Sequence, residues 1–260
     1  MSGFSLVVTG NIVSSSDVVV DGWFAVKDGK IVAKGAGQPP EAEKVIDARG
    51  KWILPGVIDG QVHARSQANQ EGLGIASRAA AAGGITVMVD MPYDDPEPIA
   101  CRALLDEKIA EVESDSHVDV ALFGTLNNEH GIEAAAELIS GGVCAFKFST
   151  FEAAPNRFPR LTEDQLEEAF REIGPSGLAC SVHNQMQEMT RKNIARLIEA
   201  NDTGWDAFLR AHTPLIENLA TAQIYEIGAE TGARAMWCMC RHPAVLKSMK
   251  CTEMPDTMSV

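Results

Sequence analysis

The chain has 260 residues, 45% hydrophobic and 22% charged, with a formal net charge of -14 at pH 7. This is ordinary globular composition, and the length suits one large α/β barrel or two modest domains. The acidic balance excludes a nucleic-acid-binding role, which needs a basic face, and no apolar run reaches the roughly 18 residues that span a membrane.

Residues 4–54 alternate short β-rich runs with turns: FSLVVTGNIVSS, VVVDGWFAVKDGKIVAKG and KVIDARGKWILPG. Lys27-Asp28-Gly29-Lys30 reads as a hairpin turn. Residues 1–56 are expected to form a small β domain. From residue 57 the pattern changes to strand and helix in alternation. Predicted strands are 57–63, 86–92, 118–126, 143–149 and 178–184. The stretches 72–84, 99–113, 132–142 and 162–174 between them read as helices, the last opened by a Thr162–Gln165 capping box. A further helix is predicted over 215–234, followed by a poor strand in ARAMWCMC. Apolar strands alternating with amphipathic helices describe a parallel sheet covered by helices. Regular repetition favours a (β/α)8 (TIM) barrel, which takes eight such units. Residues 57–235 supply about five or six, so the expected barrel is incomplete.

Barrel enzymes keep their chemistry at the carboxyl ends of the strands. The residues collected there are Gln61, His63, Asp90, Lys147 and His183. Two imidazoles, a lysine and an acid suggest a metal site. A lone histidine at a strand end is more often a hydrogen-bonded structural residue, and that alternative stands for each. Lys147, between Phe146 and Phe148, is unusual for a buried strand. Desolvation there favours the neutral amine, which can add carbon dioxide to give a carboxylate able to bridge two cations. His117, His130 and His212 fall in loops or helix flanks and read as solvated or structural.

Four segments in order, PGVIDGQVHAR (55–65), RAAAAGGITVMVDMP (78–92), GVCAFKFS (142–149) and SVHNQMQE (181–188), resemble the dihydroorotase, allantoinase and hydantoinase branch of the cyclic amidohydrolases. The resemblance covers residues 1–235 and makes 1–56 the amino-terminal part of a β-sandwich domain. It implies two zinc ions, with His63 on the first, Lys147 as a carboxylated bridge and His183 on the second. Gln61 stands where the family has another zinc-binding histidine, and Met239 aligns with the strand-six histidine. Arg65 matches an arginine that grips a substrate carboxylate, although Tyr93 replaces the asparagine expected after Met91-Pro92. Glu71 and the Asp90-Met91-Pro92 turn look more like allantoinase-type members. The strand-eight aspartate that shuttles protons has no counterpart, so no catalytic acid/base is assigned. The implied substrate is a small cyclic amide or ureide, and the implied full-length parent is a homo-oligomer. Glutamine is a poor zinc ligand, which keeps open a non-catalytic scaffold that retains the barrel.

The six cysteines lack zinc-finger or small-domain disulfide spacing and no signal peptide precedes Phe4, so a cytoplasmic protein with reduced thiols is expected. Three of the six cysteines and five of the ten methionines fall within residues 236–260. Met and Trp each have one codon, so MWCMCRH fixes most bases of its gene segment. Read one base earlier, with a C prefixed, it gives His, Val, Val, His or Tyr, Val, then Ser or Pro. This is close to the family's sixth strand. Residues 236–260 are therefore expected to be an out-of-frame tail. Exposed barrel edges should also deprive Val57, Ile58, Val62, Val143 and Phe146 of part of their cover.

Overall fold

The computed structural model describes residues 3–238. The chain divides into two compact units between Val57 and Ile58. In the first unit, strands β1 (Leu6–Val13), β2 (Val18–Lys27), β3 (Lys30–Ala36) and β4 (Lys44–Ile53) form one sheet in the order β3-β2-β1-β4. The β2–β3 connection is the expected hairpin, with Asp28 and Gly29 both at positive φ (52° and 73°). That conformation suits a tight turn matched to strand twist. Strand β1 is an inner strand of the sheet, with Val7, Val8 and Ile12 buried. Ile31, Val32, Val45, Ile46 and Trp52 stay exposed on the flanking strands.

The second unit is a parallel sheet in the order β10-β9-β8-β7-β6-β5. Its strands are β5 (Val57–Val62), β6 (Ile85–Asp90), β7 (Asp119–Gly124), β8 (Ala145–Ser149), β9 (Ala179–His183) and β10 (Arg234–Trp237). The intervening helices are α1 (Gly72–Ala82), α2 (Arg102–Asp115), α3 (Ala134–Gly141), α4 (Glu163–Ile173), α5 (Gln187–Glu199), α6 (Trp205–Ala211) and α7 (Pro214–Thr231). Sequential strands pair in register, Ala145 to Ala179 and Ala179 to Arg234, as successive βα units of an incomplete TIM barrel do. At α4, Gln165 Oε1 accepts the Thr162 amide at 3.0 Å, the reciprocal arm of the expected capping box. Helix α7 lies so close to β10 that a Cβ on Gly228 would sit 2.6 Å from that of Ala235.

Alternation along β8 explains the odd Phe-Lys-Phe sequence. Phe146 and Phe148 pack on the helix side with Leu138, Leu166 and Phe170. Ala145 faces the other way, with Met91 and Phe123, and Lys147 shares its parity. This corrects one expectation. Val57 and Ile58 are indeed 55% and 65% exposed, but Val143 and Phe146 are buried, because α3 and α4 cover the sheet locally without barrel closure. A second correction concerns residues 185–213, where α5 and α6 were not anticipated. Met236 and Trp237, assigned to the tail, belong to β10. Met239 and the rest of the tail lie outside the described residues.

Candidate functional site

The strand ends bring the expected residues to one end of the sheet. His63 follows β5, Asp90 ends β6, Lys147 lies within β8, and His183 ends β9, where Ser149 pairs with it. His63 Nδ1 is 2.8 Å from Ser66 Oγ, which leaves Nε2 as the ring atom available to a metal. The ring keeps an exposed edge, yet burial is the main influence and lowers its pKa; the Asp90 charge raises it, and Lys147 and Arg157 lower it further. His63, Lys147, Asp90 and Arg157 therefore share one electrostatic neighbourhood. Gln61 is exposed, and its backbone N–H donates to Asp59 Oδ1 at 3.2 Å.

Lys147 is 3% exposed, and its Nζ makes no hydrogen bond of ordinary geometry among the described residues. Burial pushes its pKa down; Cys238, just past β10, opposes that shift by its charge and by a side-chain hydrogen bond. A thiol compensates a buried ammonium poorly, so the neutral amine is favoured. The Lys147 carbonyl accepts the Tyr93 hydroxyl at 3.0 Å. Tyr93 in turn packs on Phe158 with ring centroids 4.0 Å apart, and Phe158 meets the His183 ring edge-on at 5.6 Å.

Asp90 and Arg65 are committed elsewhere. Asp90 is fully buried; Oδ1 accepts the Ala64 amide at 3.1 Å and Oδ2 pairs with Lys108 Nζ at 3.1 Å. The Arg65 guanidinium pairs with Asp94 and Glu111, each at 3.0 Å. Arg157 reaches the Tyr93 carbonyl at 3.5 Å. Sequence reasoning missed Arg157, Cys238 and Lys108. Arg157 lies in a loop without pattern, Cys238 lies in the compositionally odd tail, and Lys108 sits on a helix where Glu111 looks like an ordinary surface partner.

Could these donors hold zinc? Among the described residues, no three His, Cys, Asp or Glu side chains gather closely enough to bind a metal. The weakly supported Lys147 amine and the oriented His63 ring fit part of a site, in which the bridging carboxylate has to come from Lys147 itself.

No family profile matches the chain. Individual relatives do. An allantoinase from Desulfitobacterium hafniense (strain Y51) is 29% identical over 236 residues, covering 90% of this chain and 52% of that protein. An allantoinase from Solibacter usitatus is 32% identical over 230 residues, 88% of this chain and 50% of the relative. Among solved structures, the L-hydantoinase (dihydropyrimidinase) from Arthrobacter aurescens superimposes with a TM-score of 0.87 at 26% identity, covering 94% of this chain and 55% of that one. The sheet of parallel βα units is an incomplete TIM barrel of the kind seen in that hydantoinase. Over about nine tenths of its length the chain is similar to allantoinases and hydantoinases, cyclic amidohydrolases, and it spans about half the length of the curated relatives it matches.

Proposed function

We propose that this chain carries part of the active site of a zinc-dependent hydrolase that opens a ring amide C–N bond in a cyclic amide or ureide. The observation that supports it most directly is Lys147, a buried lysine whose amine is supported only weakly, by the Cys238 side chain, in one neighbourhood with His63. A neutral amine there can add carbon dioxide and become a carboxylate; a merely structural position has no use for it. His63 Nε2, carboxylated Lys147 and His183 would hold the metal, with Gln61 and Met239 at the two remaining ligand positions. Zinc, when bound, would polarise the scissile carbonyl and acidify water.

The remaining work falls to the chain's own groups. Ser66 holds the His63 ring through Nδ1, so that Nε2 is the nitrogen left for a metal. Tyr93 anchors the β8 backbone at Lys147 and, through Phe158, packs towards His183. Arg157 contributes positive charge beside His63, suited to a substrate oxygen or carboxylate. Arg65 is the other candidate for that contact, and using it would require release from Asp94 or Glu111. A general acid/base is not assigned in residues 1–260, so we propose that the chain by itself does not turn over.

The substrate is proposed to be a small ring amide of the allantoin, hydantoin or dihydropyrimidine type, with no nucleic-acid partner at a net charge of -14. No helix among the described residues is long and apolar enough to cross a membrane. A cytoplasmic homo-oligomer is the proposed form of the parent. The test is hydrolysis of a panel of these ring amides by the frame-restored protein. Ring opening that disappears in Lys147→Ala is expected; activity untouched by that change would overturn the assignment. Gln61, a poor zinc ligand where the resembling family has a histidine, supports the second reading, a non-catalytic scaffold. A stable, metal-free oligomer of the restored protein would favour it.

A further inference from the structure

Lys108 lies on α2, yet it is 1% exposed and faces three carboxylates: Asp90 Oδ2 and Asp94 Oδ2 at 3.1 Å, and Glu111 Oε2 at 3.5 Å. Arg65 closes the cluster from the rim through Asp94 and Glu111. Three buried or half-buried acids thus meet two cations, a balance that fails when either cation is removed. The cluster also reaches the backbone beside His63. Asp90 Oδ1 accepts the Ala64 amide, while Met91 donates to the Val62 carbonyl and Asp95 to the Arg65 carbonyl, each at 2.9 Å. Residues 62–65 are therefore fastened on both flanks of His63 to the segment that follows β6. This matters because β5 is an end strand of its sheet, and its own residues Val57 and Ile58 are exposed. Among the described residues no strand pairs with β5 on its outer side.

We propose that Lys108 is a positioning residue for His63, acting through Asp90 and the Ala64 amide. With Lys108 present, Asp90 is held with one oxygen on the ammonium and the other on the Ala64 amide. Without it, Asp90 and Asp94 lose the cation they share, the buried cluster has to rearrange, and the grip on Ala64 loosens. The link to metal binding rests on the reading of His63 as a zinc ligand, for which misplacement by about 1 Å weakens a site.

Residue-resolved amide hydrogen exchange on the 260-residue chain tests this. In the wild type, the Ala64 amide should exchange far more slowly than those of Ile58–Gly60 on the same strand. Lys108→Met should accelerate exchange across residues 61–66 by about tenfold or more, the scale of one lost buried hydrogen bond, beyond whatever acceleration the general loss of stability gives α4 and β9. Lys108→Arg, which restores the cation, should return the slow rate. Equal acceleration in α4 and β9 would reduce Lys108 to a general stabiliser and overturn the proposal. If Lys108→Met does not fold, the wild-type measurement decides, because an Ala64 amide as fast as Ile58–Gly60 overturns it as well. Zinc content measured in parallel separates the two claims: a metal-free wild type with a slow Ala64 amide removes the ligand reading and leaves the positioning role intact.

Discussion

The Tyr93 hydroxyl donates 3.0 Å to the carbonyl oxygen of Lys147, joining the turn after β6 to the middle of β8. Tyr93 is 2% exposed, so neither partner can turn to water instead. Where this turn carries an asparagine in the resembling family, this chain uses the site for a buried aromatic anchor. Tyr93→Phe should leave the Lys147 carbonyl without that donor and cost about 1–3 kcal/mol. Urea unfolding of the two proteins measures it, and equal midpoints with equal slopes would show that the bond contributes nothing.

Lys147 should be a stability burden in the metal-free chain. Its amine is buried with only the weak support of the Cys238 side chain, so replacement by an apolar side chain of similar length removes a desolvation cost. Lys147→Met is expected to stabilise by about 1 kcal/mol or more. A loss of thermal stability on that substitution would mean that the amine has a partner that matters.

Lys108 should act in the opposite sense. Burial alone would lower its pKa, but Asp90, Asp94 and Glu111 outweigh burial and raise it above the ordinary value of 10.5. A lysine whose folded pKa is raised contributes stability that is complete below its unfolded pKa and is lost as pH rises through the folded value. Lys108→Met should therefore cost about 3–5 kcal/mol near pH 8, as removal of one partner from a buried ion cluster does. The gap to wild type should narrow only above pH 10.5. Melting curves between pH 8 and 11.5 check the sign; a gap that widens across that window contradicts it.

Much of the barrel was legible because buried strands leave short apolar runs that helices interrupt: residues 118–126 contain β7 (Asp119–Gly124), and 178–184 contain β9 (Ala179–His183). Helices α5 and α6 were not, since the polar run Arg191-Lys192-Asn193 and the exposed Trp205, Phe208 and Leu209 blur any apolar stripe. The Lys108 cluster could not be read either. A Lys–Glu pair three residues apart on a helix is the pattern of a solvated face, and only the fold brings Asp90, Asp94 and Arg65 onto it. Lys147 lay between these cases. Its neighbours marked it as unusual, but strand alternation was needed to separate it from the two phenylalanines.

The tail offers a test outside the protein. If residues 236–260 arise from a missing base near the Ala235 codon, sequencing the gene there should reveal the shift, and the restored frame should read His-Val-Val from position 236. A well-covered intact reading would dismiss the idea.

Association should be strong when the chain is made alone. Val57 and Ile58 are exposed on β5, an end strand, and Ile31, Val32, Val45, Ile46 and Trp52 are exposed in the first unit. Open apolar edges invite pairing with other chains. Sedimentation velocity should show a broad distribution of large species, whereas one sharp boundary at monomer mass would contradict this.

The most direct test of the central claim is elemental analysis of zinc after dialysis of the 260-residue chain, its Lys147→Ala variant and its His63→Ala variant. With only His63, Lys147 and His183 to share between two positions, where zinc sites usually need three or four protein ligands, the wild type should retain less than one zinc per chain, and each variant should fall to background. Two tightly held zinc ions per chain, or zinc content unchanged in both variants, would contradict the account.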